Sequence, residues 1–194
     1  MADVVTAGEI LTFWLEEVGE KGWYQGSDTL DQTIRDRFRA TWDRAGDLAE
    51  AWADTPRGAL AALILTDQFP RNMFRDDPRA FATDALARAI ATRAIAAGFD
   101  RQIDAPQRQF FYMPFEHSED LADQHRCVAL FAAHMPGENL RHAELHRDTI
   151  ARFGRFPWRN AALGREPGPA ENQVMQAGGY AALVSGKLSL DDLA

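Results

Sequence analysis

Leu30, Ile34, Phe38 and Trp42 recur at every fourth position, with arginine and aspartate between them. That rhythm lines one face of an α-helix with apolar side chains and leaves the other face to water. The same three-and-four spacing returns in Ile10, Phe13 and Trp14, in Leu60, Leu63 and Ile64, and in Leu86 and Ile90. It returns again in Ala143, His146, Ile150 and Phe153. No run alternates at period two with β-branched residues, so no strand is predicted. The chain is read as all-α, a single helical domain over residues 1–194 built of antiparallel helix pairs.

The helix ends are written in the same chain. Thr6 and Glu9 make a capping box, with Val5 and Ile10 as the hydrophobic staple around it. Gly19 and Gly22 are expected to end that first helix. Ser27 or Asp28 caps the next, and Gly46 is expected to break or bend it. Thr55-Pro56 is an N-cap followed by proline at the first helical position. Pro70 is expected to end or kink the helix that follows. Thr83, with Asp84 behind it, caps another helix, which Gly98 closes. Pro106 opens a short, very apolar piece. Ser118 is expected to cap the next helix, with Glu119 and Asp120 in its first turn and Leu121, Val128 and Phe131 on its buried face. Further helices are expected over about 140–153 and 169–176.

Composition narrows the function. The 194 residues carry 21 Lys and Arg against 29 Asp and Glu, a net charge of -8. A nucleic-acid binder needs a basic surface to displace counterions, and an anionic membrane surface repels this chain for the same reason. Nucleic acid and membrane are therefore not expected partners. No run approaches the roughly 18 apolar residues of a membrane helix. No basic segment followed by an apolar run marks a secretory signal, so a cytoplasmic location is expected. The one cysteine, Cys127, sits among apolar residues and reads as core.

The informative positions are polar ones on apolar stripes. Asp67 and Gln68 interrupt the stripe of Leu60, Leu63 and Ile64, with Arg71 four residues beyond Asp67. A carboxylate placed there must be paired or neutralised. His146 points inward, and His142 precedes it at the i, i+4 spacing that can serve a metal. Glu144 lies off that face, so the ligand set is incomplete; no metal and no cofactor are expected. Glu116-His117-Ser118-Glu119 puts a histidine beside two carboxylates, a set that suits acid–base chemistry or simple capping. From Arg141 to Arg165 there are six arginines, among them Arg152, Arg155 and Arg159, beside Asn160 and interleaved with aromatics. They can clamp a small anion or anchor a loop onto carboxylates such as Asp67 and Glu119.

Four stretches together resemble the bacterial domain-of-unknown-function 924 family. They are FWL at 13–15, ALILTDQFPRNMFRDDPRAFATD at 62–84, QFFYMPFEHSEDLADQ at 109–124 and HRDTIARFGRFPWRNAALGR at 146–165. The resemblance implies a tetratricopeptide-like, right-handed helical array and no established reaction. It marks Asp67, Gln68, Arg71, His117, Ser118, Glu119, His146, Arg152, Arg155, Arg159 and Asn160 as motif positions. It also implies a histidine where this chain carries Trp158, which removes a metal-binding group.

Two functions fit. In one, Asp67, His117, Glu119 and His146 converge with Arg152 and Arg155 in a polar pocket for a small anionic ligand, with His117 or His146 as acid–base. In the other, the polar cluster is structural and a tetratricopeptide-like groove takes a peptide or partner helix.

Overall fold

A computed structural model describes residues 4–193. Every regular element among the described residues is helical, and none is a strand. None of their helices is long and apolar enough to cross a membrane. The chain divides into two compact units, Met1–Pro114 and Phe115–Ala194.

The first unit opens on the expected capping box. Thr6 Oγ1 accepts from Glu9 N at 3.3 Å, and Glu9 Oε2 accepts from Thr6 N at 2.8 Å. The helix Ala7–Leu11 then widens into a π-helix, Thr12–Val18. Gly19, at φ 65°, breaks the run as expected, and one further helical turn, Gly19–Trp23, follows it and takes in Gly22. Trp23 holds that turn in place by donating Nε1–H to Trp14 O at 2.7 Å.

Ser27 caps Asp28–Trp42 through its Oγ. Gly46 does not break the chain. The turn lies at Asp43 and Arg44, and Gly46 sits inside the helix Ala45–Trp52. A glycine costs a helix about 1 kcal/mol, and burial of Ala45 and Ala49 overrides it. Gly58 is required where it stands: a Cβ there would lie 1.9 Å from Trp52 O. It belongs to Pro56–Leu63, capped by Thr55 as expected.

Pro70 neither stops that helix nor clashes. A π segment, Ile64–Gln68, absorbs the misfit before the final turn, Phe69–Met73. Phe69 N reaches back five residues to Ile64 O. A widened turn of this kind accommodates a residue that lacks an N–H. Thr83 stands at the N-cap position of Asp84–Ala96 but does not cap it. Its hydroxyl instead donates to Thr66 O at 2.6 Å and accepts from Trp42 Nε1 at 3.2 Å. The core of this unit is aromatic. The Phe38 ring lies 4.7 Å from Phe69 and 4.8 Å from Phe13, and Trp14 packs edge-on against Phe69 at 5.6 Å.

In the second unit, Leu121–His134 and Glu138–Phe153 pack along each other as an antiparallel pair across Met135–Gly137. The latter begins two residues before Leu140, the expected start, and Gly154 closes it in the left-handed conformation at φ 68°. Ser118 is not the cap of Leu121–His134; Asp120 is, accepting from Ala122 N at 2.7 Å and Asp123 N at 3.3 Å. Ser118 Oγ accepts from Asp120 N and donates to Asp123, bracing the cap from behind. The buried face is therefore rotated from the expected one. It carries Gln124, Cys127 and Phe131, while Leu121 is exposed and Val128 half-buried. Replacing Asp120 with alanine should cost about 1 kcal/mol of stability by urea unfolding, and Ser118→Ala less. The reverse order would return the cap to Ser118. Pro169–Ala177 and Tyr180–Val184 complete the unit around Val174 and Leu183.

Candidate functional site

In the first unit the polar breaks form a clamp. Asp67 and Gln68 occupy the π segment, and Asp67 is 1% exposed. Arg71 Nη1 lies 3.4 Å from Asp67 Oδ1 and donates to Asp67 O at 2.6 Å. The same guanidinium meets Asp84 with both terminal nitrogens, at 3.0 and 3.1 Å. Gln68 Nε2 donates to Asp67 Oδ2 at 2.6 Å. Burial by itself would weaken the charge on Arg71. The two carboxylates more than offset that, and the guanidinium is held charged. Asp84 was expected only beside a cap. A second pairing was not expected at all: Asp31 accepts from Asn72 at 2.8 Å and from Arg75 Nε at 2.9 Å.

The second unit holds the remaining motif residues in separate groups. Glu119 pairs with Arg165 at 2.7 Å and accepts from Phe156 N at 2.8 Å, rather than meeting Arg152 or Arg155. Burial would raise the carboxyl of Glu119, but these donors hold it below its ordinary value. Arg155 grips Glu171, which sequence reasoning missed, with Nε and Nη2 both at 2.7 Å. Asn160 Nδ2 and Gly168 N donate to the same carboxylate at 3.0 and 2.6 Å. These bonds, the pair from Arg155 foremost, hold Glu171 down to about 2. Arg159 donates to His117 O at 2.8 Å and lays its guanidinium over Phe156. Arg152 is exposed and donates to Leu193 O at 2.9 Å.

His146 is buried, as its spacing required. Its Nδ1 faces His142 O at 2.9 Å and Glu116 Oε1 at 3.1 Å. Desolvation is the largest influence on the ring and holds it neutral, with its pKa lowered to about 3. The hydrogen bond to the His142 carbonyl favours the charged form, but a ring walled by Phe156, Trp158 and Tyr180, with Arg159 nearby, is too poorly solvated for that to win. His142 Nδ1 meets Tyr180 Oη at 2.5 Å. Among the described residues no three His, Cys, Asp or Glu side chains are grouped to hold a metal ion. Cys127 is buried, and burial pushes its thiol up.

An open groove of about 500 Å³ runs beside the Glu171 clamp. Arg152, Phe153, Arg155 and residues 168–171 line it. It brings together two of the expected arginines and the first turn of Pro169–Ala177.

The molecule is thus an all-helical protein whose motif residues pair carboxylates with arginines and bury one histidine. It belongs to the bacterial domain-of-unknown-function 924 family, whose model matches residues 10–179. It is similar to a solved protein of unknown function from Agrobacterium tumefaciens. The two share 41% identity with a TM-score of 0.84, over 89% of this chain and 97% of that one. No curated protein matches.

Proposed function

We propose that the protein binds a small anionic molecule in the groove lined by Arg152 and Arg155. One observation carries this reading: two guanidiniums and the first turn of a nine-residue helix share that groove, in a chain of net charge -8. A helix N-terminus and planar guanidiniums both favour carboxylate or phosphate groups. Arg155 is largely spent on Glu171, so Arg152 is the cation a ligand meets first.

Thermal unfolding tests this. Inorganic phosphate or citrate should raise Tm by about 2–4 °C for each kcal/mol of binding. Arg152→Ala should leave the unliganded stability within about 0.5 kcal/mol, because the side chain is exposed, and should abolish the shift. If neither phosphate, citrate nor an adenine nucleotide moves Tm, the reading fails. The second reading is a tetratricopeptide-like interaction module. It is favoured by one observation, that Asp67, Glu119 and Glu171 are each met by an arginine, as a purely structural network would be.

A further inference from the structure

The groove beside Glu171 has a side that an inorganic anion does not use. The helix Glu138–Phe153 ends on an aromatic residue, and Gly154, at φ 68°, turns the chain off its path. Phe153 lines the groove from that end, and Pro169 and Ala170 line it from the start of Pro169–Ala177. Phe153 and Ala170 are half-buried and pack inward against the cluster of Val174, Leu183 and Leu193. Pro169 is exposed. The groove thus has an apolar floor that continues into a small core.

Its two arginines are not equivalent. Arg155 is paired with Glu171 through two bonds, and that pair is neutral as a unit. Arg152 donates to the Leu193 carbonyl, a neutral group, which holds the guanidinium without cancelling its charge. A guanidinium has five N–H donors, so one such bond leaves it room to take a carboxylate. One uncancelled positive charge therefore stands beside an apolar floor. Phosphate answers the charge and leaves the floor in water. At about 500 Å³ the groove falls within the roughly 300–1,000 Å³ of sites that hold small organic molecules.

We infer that the ligand of this groove is an amphipathic monoanion of the aryl carboxylate class, one carboxylate on a flat apolar body. The carboxylate pairs with Arg152, and the ring lies on Phe153, Pro169 and Ala170. This rests on the anion reading proposed above and narrows it. A second charge on the ligand gains little, because Glu171 already holds the other guanidinium.

Equilibrium dialysis of the full chain against 2-naphthoate tests this. Acetate and phosphate, as competitors, carry the charge without the ring, and 2-naphthamide carries the ring without the charge. Naphthoate should bind about tenfold more tightly than acetate or phosphate, the gain from withdrawing about 60 Å² of apolar surface from water. Naphthamide should bind about tenfold more weakly than naphthoate, the loss of a charge-assisted hydrogen bond. Arg152→Ala should erase the preference for naphthoate over naphthamide. Phe153→Ala should erase most of the preference for naphthoate over acetate. If that variant fails to fold, Pro169→Ser, at an exposed position, should lower the same preference by about twofold. Phosphate binding with naphthoate no tighter would overturn the inference and leave the anion reading standing. Equal binding of naphthoate and naphthamide, or naphthoate binding unchanged in Arg152→Ala, would overturn it too. If none of the four molecules binds, both readings fall.

Discussion

Replacing Arg71 with alanine should destabilise the protein by about 3–5 kcal/mol, the cost of stranding buried carboxylates without their cation. Two acids meet that one guanidinium. Asp67 is 1% exposed and Asp84 9% exposed, so neither can recover its solvation by turning outward. Arg71 also holds the carbonyl of Asp67, inside the π segment where the regular backbone ladder is interrupted. Lysine should rescue only part of the loss. It supplies the charge but not the two-pronged geometry that meets both oxygens of Asp84. Neutralising an acid as well, in Arg71→Met with Asp84→Asn, should recover stability relative to Arg71→Met alone, because one stranded charge is gone. Urea unfolding of the full chain measures all of these. A loss below about 1 kcal/mol for Arg71→Ala would mean that water reaches the acids and the clamp is a surface pair in effect.

That clamp also marks where sequence reasoning ends. The inward position of Asp67 and the reach of Arg71 are local facts, four residues apart on one helix, and the spacing alone exposes them. Asp84 lies 13 residues beyond Arg71, across a turn, and no periodicity connects the two. The caps at Thr6, Ser27 and Thr55 were legible because a cap is a short-range pairing of a hydroxyl with an N–H two or three residues on. Ser118 and Asp120 are both good caps two residues apart, and only the backbone path decides between them. The π segments left one sign, Pro70, which reads equally as a stop or a kink. A single inserted residue shifts the apolar stripe too little to separate those outcomes. In the second unit the arginines were visible as a charge cluster. Their partners were not: Arg155 reaches 16 residues to Glu171, and Arg165 reaches 46 residues to Glu119. Glu171 did carry a local signal, the Gly-Pro-Ala-Glu run of residues 168–171, where an acid three residues into a helix turns back on its cap.

Glu171 is the second residue whose loss should be large, and its effect should depend on pH in a way that identifies it. Its carboxylate accepts from Arg155, Asn160 and Gly168, so Glu171→Ala unpairs three donors at once. The expected cost is about 2–3 kcal/mol at neutral pH. That is less than for a sealed pair, because the Arg155 side chain is 30% exposed and water takes back part of its solvation. The folded protein holds Glu171 at about 2, against an ordinary value of 4.5. A carboxyl depressed in the folded state stabilises the fold fully above 4.5, and that stabilisation drains away as the pH falls toward 2. Glu171→Gln keeps the shape but cannot titrate. Between about pH 5 and pH 3 it should therefore lose about 1–2 kcal/mol less than the wild type does, whatever the other carboxylates contribute to both. The comparison needs only urea unfolding curves of the two proteins at the two pH values. Parallel losses would show that Glu171 titrates normally and that Arg155 is not its partner in solution. A smaller loss in the glutamine variant, together with a marked deficit for alanine at neutral pH, fixes Glu171 as the acid that anchors the arginine-rich loop to the helix beginning at Pro169.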